Sequence, residues 1–385
     1  MEFTVSKNDL VRELGLSQGV VEKKTTIPIL SNVLIEASGD RIHLTATDLE
    51  LGIRCSCPAK VKKPGAGTIP AKRLLDYVRL LPDADIDLKV ADNHWVSITC
   101  GRSKTRIAGM SRESFPELPQ MPTALATMPA SLLSQMISKT IFAISSEESR
   151  FTLNGALLLV REDSITMVST DGHRLAMVKQ DADMGTASYR ALLPRKAMSE
   201  VLKLAGDAGA DGAFEFSGDD NHLFFKIGSR LLMSRKLTGN FPDYERVLPK
   251  DANKSVTLPR DEFRQAIERV AQFADERSRA IRVKFAKEEM KIFSSISETG
   301  ETEEVMPIEY SGEAVEIGFN AQYMLDFLRA VSQPEVCFLF KDGNSAGEMR
   351  PAPPKTEAKP ETSTDERFAA TGGSQYRYVV MPMRI

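Results

Sequence analysis

The sequence has little of what disulfide frameworks and metal centres require. Its 385 residues include four cysteines, four histidines and one tryptophan. The cysteines are too few and too scattered for a disulfide-stabilised secreted fold. Cys55 and Cys57 form a C-x-C pair, but no second Cys/His pair lies at ligand spacing, and alternation along a β-strand explains the pair equally well. We therefore expect neither a metal nor another cofactor.

Long apolar runs and nucleotide-binding loops are also missing. No stretch approaches the roughly 18 apolar residues of a membrane span. Residues 1–7 have neither the basic start nor the apolar run of a signal peptide, so we expect a cytoplasmic protein without membrane contact. No G-x-x-x-x-G-K-[ST] loop and no G-x-G-x-x-G fingerprint occurs. The lack of recognisable chemistry favours a binding or structural role over catalysis.

The charge is nearly balanced, with a formal net charge of −3. This balance argues against tight DNA binding driven by bulk charge, but it allows a basic surface on one side of the molecule. The predicted short helices repeatedly carry Lys or Arg outside their apolar stripe. Solvation explains such residues on any one helix, whereas six similar helices favour a shared positive surface. Few aromatic residues lie among these basic residues, and no helix resembles one that reads base edges. The expected partner is therefore the duplex phosphate backbone, bound without sequence preference.

The chain repeats three times at an interval of about 125 residues. Each repeat opens with a short strand pattern, then an amphipathic helix, alternating strands and a second helix. The opening segments are Phe3-Thr4-Val5, Ala126-Thr127-Met128 and Val256-Thr257-Leu258, and the second helices follow Ile69-Pro70, Leu193-Pro194 and Phe319-Asn320. Antiparallel strands with few helices predict an α+β fold, with the helices on one face of the sheets.

The repeat predicts three similar domains, residues 1–122, 123–250 and 251–385. One segment breaks the pattern. From about 350 to 375 the chain is rich in Pro, Ala, Thr, Glu and Lys and has one aromatic residue. Such a composition buries too little apolar surface to offset the cost of ordering the chain, so we expect a disordered insert in the third domain.

The segment from Ser169 to Arg174 looks the most catalytic. Asp171 and His173 close to a hydroxyl invite a triad interpretation, and a hydrolase on a duplicated α+β scaffold is the competing hypothesis. Adjacent residues of an extended segment point to opposite faces, however, and Asp-Gly is more simply a hairpin turn. A DNA-binding regulator that does not form a ring is a third hypothesis.

Several segments resemble one family in their residues and in their order along the chain. The resemblance covers the whole sequence apart from the predicted insert. The matching segments are IPILSN at 27–32, TATDLE at 45–50, TDGHRLA at 170–176, FPDYERVLP at 241–249 and YVVMPMRI at 378–385. On a triplicated frame, they resemble the bacterial beta sliding clamp, the processivity subunit of DNA polymerase III.

The resemblance implies a head-to-tail homodimer: a ring of six similar domains, with helices lining a hole that holds duplex DNA. It implies no catalytic activity. Its implied partners are the DNA polymerase III alpha subunit, a clamp loader that uses ATP, and other polymerases and repair factors. These proteins insert a short hydrophobic peptide into a pocket. The matching pocket positions are Leu153, Thr170, Gly172, His173, Arg174, Leu175, Pro242, Arg246, Val247, Asn320, Tyr323, Val379, Val380, Met381, Pro382, Met383 and Arg384.

Two further sets of residues complete the predicted sites. Basic helix faces and family positions predict DNA contacts from Lys24, Arg73, Arg79, Lys139, Phe151, Arg195, Lys196, Arg264 and Arg269. Alternation predicts that Arg102, Lys104 and Arg106 project from one face of a strand, facing an acidic run on the other end of a second copy. The predicted dimer interface comprises Arg73, Arg102, Lys104, Arg106, Gln272, Phe273, Glu298, Glu301, Glu303 and Glu304.

Overall fold

The computed structural model describes residues 1–21, 26–147, 149–185, 188–209, 212–296, 300–353 and 374–384. Lys24, Glu298 and most of the predicted insert lie outside the described residues. None of the described helices is long and apolar enough to cross a bilayer.

The first repeat begins with a strand whose alternation buries Phe3 and Val5. Its second helix follows Pro70 and buries Leu74, Leu75 and Val78, which share one helix face. The elements are β1 (Glu2–Ser6), α1 (Lys7–Ser17), β2 (Asn32–Ser38), β3 (Arg41–Thr47), β4 (Leu51–Pro58), β5 (Lys60–Lys63), β6 (Gly65–Pro70), α2 (Ala71–Leu80), β7 (Asp85–Val90), β8 (Trp95–Cys100) and β9 (Ser103–Ala108).

The second repeat follows the same order. Its longest helix buries Ala197, Met198, Val201 and Leu204 along one stripe. The elements are β10 (Ala126–Pro129), α3 (Ala130–Ser138), β11 (Gly155–Arg161), β12 (Ser164–Thr170), β13 (Arg174–Asp181), β14 (Tyr189–Pro194), α4 (Arg195–Asp207), β15 (Ala213–Gly218), β16 (His222–Ile227) and β17 (Arg230–Arg235).

The third repeat ends in the C-terminal strand. The side-chain oxygen of Asn320 caps its second helix by accepting hydrogen bonds from the Gln322 and Tyr323 amides at 2.9 and 3.3 Å. The elements are β18 (Lys254–Pro259), α5 (Arg260–Val270), β19 (Ala280–Ala286), β20 (Glu289–Ile296), β21 (Gly300–Pro307), β22 (Val315–Asn320), α6 (Ala321–Ala330), β23 (Glu335–Phe340), β24 (Gly347–Pro351) and β25 (Ser374–Val380).

The antiparallel sheets do not respect the sequence repeats. One eight-stranded sheet runs β10-β15-β16-β17-β4-β3-β2-β6, so the pairing of β17 with β4 joins the first two repeats. Another runs β14-β11-β12-β13-β25-β24-β23-β18, and the pairing of β13 with β25 joins the last two. A five-stranded sheet (β5-β1-β7-β8-β9) and a four-stranded sheet (β21-β20-β19-β22) complete the described strands. The predicted α+β class is confirmed.

Because two sheets span repeat boundaries, the chain divides into two compact units. Unit 1 contains residues 1–134 and 193–236, and unit 2 contains residues 135–192 and 237–385. The three domain boundaries read from the sequence stay a prediction about the repeat, because the second repeat contributes strands to both units.

Cys55 and Cys57 lie in β4, as alternation within a strand predicted, and both are buried. Burial raises the pKa of the Cys57 thiol to about 12, so this thiol is protonated at neutral pH. Among the described residues, no group of three or more His, Cys, Asp or Glu side chains is arranged to hold a metal ion.

A buried ion pair fixes the junction of the first two repeats within unit 1. Glu13 on α1 is 2% exposed and accepts hydrogen bonds from Arg230 on β17 at 2.8 and 3.0 Å. Arg12 Nε also donates to this carboxylate, at 2.9 Å. Burial raises the pKa of Glu13, but the hydrogen bonds and the positive charges of Arg230 and Arg12 together lower it by more, so the net shift is downward. The carboxylate therefore stays charged in the core.

We predict that Glu13→Gln lowers the free energy of unfolding of unit 1 by about 3 kcal/mol at pH 7, because it breaks a buried ion pair. The folded pKa lies below the unfolded one, so the pair's stabilisation is present above about pH 4.3 and is lost as the pH falls through the folded pKa. Urea denaturation at several pH values measures both effects. Glu36→Gln, at an exposed pair with Arg112, is the control and should change stability by about 0.5 kcal/mol or less. Equal losses in the two variants would contradict the prediction.

Candidate functional site

The turn between β12 and β13 is held by its own side chains. Thr170 Oγ1 donates to the Arg174 carbonyl at 2.6 Å and accepts from the Gly172 amide at 3.1 Å. Asp171 Oδ1 accepts from the amides of His173 and Arg174 at 2.9 and 3.0 Å. Gly172 has φ +89°, which favours glycine. The Asp171 carboxylate thus braces a turn, which leaves His173 exposed and gives no support to an acid–base pair.

Arg174 connects this turn to two other parts of unit 2. Its side chain is 9% exposed and donates to Asp171 at 3.0 Å, to Asp326 on α6 at 2.6 Å and to the Phe142 carbonyl at 2.6 Å. The guanidinium carbon lies 4.3 Å from the centroid of the Tyr323 ring. Burial lowers the pKa of Arg174, but Tyr378, Asp326 and Asp171 raise it by more. A charged guanidinium therefore holds the turn against α6 and the Phe142 carbonyl.

The C-terminal segment lies beside the turn. Val379 and Val380 are fully buried in β25, where they pair with Leu175 and Arg174 of β13. After the strand, the Met381 amide donates to the His173 carbonyl at 2.9 Å, and the Met383 amide donates to the Gly318 carbonyl at 2.8 Å. Met381, Pro382 and Met383 are partly exposed, and Arg384 is exposed. The methionines therefore form an adaptable apolar surface next to the turn.

An apolar cluster lies under this surface. Its buried members include Leu175, Val379, Phe241 and Leu248, and the partly buried residues packed against them are Leu153, Leu237, Tyr244, Val247 and Ala346. Pro242 and Arg246 are exposed, and Arg246 pairs with Asp243 at 2.8 Å. Four of the predicted pocket residues thus belong to one packed cluster: Leu153, Leu175, Val247 and Val379.

Two cavities of unit 2 are lined in part by consecutive residues, 343–344 in one and 345–346 in the other. One, of about 420 Å³, is lined by Gly318, Asn344, Pro382, Met383, Arg384 and the ion pair of Arg282 with Glu316. The other, of about 460 Å³, is lined by residues that include Arg246, Val247, Leu248, Ser345 and Ala346. Five predicted pocket residues therefore line open space: Arg246, Val247, Pro382, Met383 and Arg384.

Two strands of opposite charge end their sheets within the described residues. On β9, Lys104 and Arg106 are exposed, and on β21, Glu301 and Glu303 are exposed. Arg102 was predicted to alternate within the strand, and this is wrong: it lies in the hairpin turn with Gly101 (φ +57°), and β9 begins one residue later.

The other predicted interface residues differ in exposure. Glu304 lies on the opposite face of β21 from Glu301 and Glu303, and binds Arg269 of α5 at 2.7 Å. Gln272 donates to the Glu268 carbonyl at 3.3 Å. Phe273 is 41% exposed. Glu304 is therefore paired within its own chain, whereas the apolar ring of Phe273 is exposed to solvent.

Three of the seven described basic residues predicted to contact DNA have a carboxylate partner in their own unit. Arg264 binds Glu268 at 3.0 Å, Arg269 binds Glu304, and Lys196 binds Asp48. Lys139 is packed against the Tyr376 ring, and burial lowers its pKa. The remaining described members are Arg73 and Arg79, exposed on α2, Arg195 at the start of α4, and Phe151, which is 72% exposed. Part of the positive charge of these helices is therefore balanced locally.

Family models of the DNA polymerase III beta subunit cover most of the chain. The N-terminal domain model matches residues 1–119, the central domain model residues 127–243 and the C-terminal domain model residues 245–359. The beta sliding clamps of Pseudomonas putida and Caulobacter vibrioides are each 34% identical to this chain, over the whole of both proteins. The chain belongs to the beta sliding clamp family.

Solved clamp structures agree with this assignment. The Pseudomonas aeruginosa clamp bound to griselimycin superposes with a TM-score of 0.89 at 34% identity, over all of both chains. The Bacillus subtilis clamp gives a TM-score of 0.91 at 27% identity and covers 100% of this chain and 99% of that one. The resemblance read from the sequence and the function it implied are confirmed, and the hydrolase hypothesis has no support.

Sequence reasoning missed two hydrogen-bond partners of Arg174. Asp326 and the Phe142 carbonyl hold Arg174, but both lie far from it in sequence. The one available signal was local: Gln322 and Asp326 are four residues apart on α6, and Gln322 donates to Asp326 at 2.6 Å. That spacing marks a polar stripe on the helix without revealing the arginine it faces.

We predict that Arg174→Lys destabilises unit 2 by roughly 3 kcal/mol, because an ammonium cannot satisfy Asp171, Asp326 and the Phe142 carbonyl together. The shift of the urea midpoint measures the loss. Arg246→Lys is the matched control, since its ion-paired side chain is 86% exposed, and it should shift stability by about 0.5 kcal/mol or less. A wild-type midpoint for Arg174→Lys would show that the guanidinium network is dispensable.

Proposed function

We propose that two copies of this chain close head to tail around duplex DNA and tether the replicative polymerase without catalysing a reaction. We further propose that the DNA polymerase III alpha subunit, a clamp loader, other polymerases and repair factors bind the pocket of unit 2 through a short hydrophobic peptide. We place this activity in the cytoplasm. The observation that carries the proposal is the pattern of strand pairing between repeats.

Each in-chain junction pairs the last strand of one repeat with a strand of the repeat before it. β17 pairs with β4, and β25 pairs with β13. In the first repeat β9 holds the place of β17 and β25, and in the third repeat β21 holds the place of β4 and β13. Within the described residues, both β9 and β21 end their sheets. A second copy supplies each missing partner, and the two contacts leave neither of these edges unpaired.

The in-chain junctions also supply a register for this contact. Their equivalent central pairs are Leu232 with Ile53 and Tyr378 with Ala176. The hairpins that precede these strands place Thr105 of β9 where Leu232 and Tyr378 lie. They likewise place Thr302 of β21 where Ile53 and Ala176 lie. Thr105 of one copy therefore faces Thr302 of the other.

This register brings opposite charges together. It sets Lys104 opposite Glu303 and Arg106 opposite Glu301, and all four side chains lie on exposed strand faces. Opposite charges directly across a strand pair stabilise it, and complementary ends favour one orientation of assembly. A shift by one residue would move these charges against the inward faces, so the pattern also specifies the register.

The charge of the helices suits a clamp that moves along DNA. Arg264, Arg269 and Lys196 are each paired with a carboxylate of their own chain, which lowers the number of cations that can displace counterions from DNA. Retention would then come from topology, and the affinity for DNA would be low and insensitive to sequence.

We predict that Lys104→Glu with Arg106→Glu gives folded monomers, because acid then meets acid at both contacts. Glu301→Lys with Glu303→Lys should do the same with basic charge. Mixing the two variants restores complementarity at both contacts and should restore a dimer, which sedimentation velocity at micromolar concentration and moderate salt measures. The control is Lys60→Glu with Lys62→Glu on β5, the other edge of the same sheet, and it should stay dimeric. Dimers of either single-sided variant would argue against this contact.

We predict that the wild-type protein, once loaded, stays on nicked circular DNA through gel filtration and is lost when the DNA is linearised. The mixture of the two charge-reversal variants should be retained and lost in the same way as the wild type. Neither variant alone should be retained on the circular DNA. A DNA-binding regulator without ring closure would bind both DNA forms equally, and that result would rule out encirclement.

We predict that Met383→Ala weakens binding of a hydrophobic clamp-binding peptide at least tenfold, because an anchor side chain packed in such a site contributes roughly 2 kcal/mol. Fluorescence anisotropy with a labelled peptide measures the change, and the dimer should be unaffected. Met290→Leu, buried in β20 away from the pocket, is the control. Unchanged affinity in Met383→Ala would refute this pocket.

A further inference from the structure

The only tryptophan of the sequence lies beside the basic edge of unit 1. Trp95 begins β8, and its side chain is 40% exposed. The guanidinium carbon of Arg106 lies 5.0 Å from the centroid of the indole. Trp95 pairs with Ala108, and Arg106 pairs with Ser97, so the ring and the guanidinium are diagonal neighbours on one face of the sheet.

Such stacking restrains a long side chain. Arg has many rotamers in solution, and an ion pair formed by a freely moving arginine loses that entropy on binding. An indole face attracts the guanidinium and holds it without consuming its N–H donors, because the ring contacts the guanidinium plane and the donors lie at its rim. Arg106 can therefore be held by Trp95 and still donate to a carboxylate.

We propose that Trp95 is a positioning residue for the contact between two copies: it holds Arg106 at the edge of β9, ready to bind Glu301 of the second copy. This inference rests on the proposed ring. Lys104, the other basic residue of the exposed face of β9, pairs with Thr99, and the structure records no aromatic contact for it. Trp95 positions Arg106 but not Lys104. Arg106 should therefore contribute more to association of the two copies than Lys104 does.

A double-mutant cycle on the full-length protein tests the coupling. The dimer dissociation constant is measured by sedimentation velocity for Trp95→Leu, Arg106→Met and the double variant, with Lys104→Met as the matched control. We expect Trp95→Leu to weaken the dimer about tenfold, since the stacking is lost at both contacts. We expect no further loss from Trp95→Leu in the Arg106→Met background, and the full loss in the Lys104→Met background.

Folding is checked separately. Trp95→Phe keeps an aromatic face and should retain most of the affinity, and thermal melting should show that each variant is folded. In the wild type, the emission of the single tryptophan should also change on dilution through the dimer dissociation constant, and Arg106→Met should reduce that change at matched occupancy.

The outcomes distinguish the positioning role of Trp95 from the proposed ring. If the wild type dimerises and Trp95→Leu leaves the dissociation constant unchanged, or weakens it equally with and without Arg106, the positioning role is overturned and the ring stands. If the wild type stays monomeric at every concentration, the proposed ring itself fails.

Discussion

Strand pairing between repeats is the constraint on which the rest of this structure depends. The backbone of an edge strand exposes a row of unpaired donors and acceptors, and each repeat has such edges. The chain satisfies four of them internally, by joining β17 to β4 and β25 to β13. The pairing of β25 with β13 places the turn at 170–174 beside the C-terminal segment, which brings several of the predicted pocket residues together. Within the described residues, β9 and β21 are left at the ends of their sheets.

Buried charge then makes the joints rigid. Glu13 and Arg230 anchor a helix to a strand across one joint, and Arg174 anchors the turn to α6 across the other. A buried ion pair tolerates little displacement. Separating the two side chains would leave each charge unpaired in the interior, which is strongly destabilising. Arg174, one of the predicted pocket residues, is thus held in place by carboxylates of its own unit.

The sequence predicted the parts of this molecule that depend on local pattern. Repetition, alternation and the Thr170-Asp171-Gly172 turn indicated three similar α+β repeats and a hairpin, and the resemblance indicated the family. Pairing between repeats could not be read, because strand partners far apart in sequence leave no mark on the periodicity of either strand. For the same reason the partners of Arg174 were missed. The predicted strand position of Arg102 was wrong because this residue lies in the turn with Gly101, one residue before β9 begins. The ion pair of Glu304 with Arg269 could not be read either, because the two residues lie 35 positions apart.

The first residue of β9, Ser103, distinguishes the proposed contact between copies from the two strand pairings within the chain. By the same hairpin registers, Ser103 stands where β17 has Arg230 and β25 has Tyr376. Arg230 enters a buried ion pair, and the Tyr376 hydroxyl donates to the Lys139 carbonyl at 2.9 Å. A serine side chain is too short for either contact, so at this joint the pairing of the strands would be reinforced by exposed charges and not by a buried polar group. Salt weakens pairs of exposed charges more than buried ones, and dilution separates two copies but cannot separate two segments of one chain. The proposed joint between copies is therefore the one that solution conditions would open, while both joints within the chain stay paired and each copy stays folded.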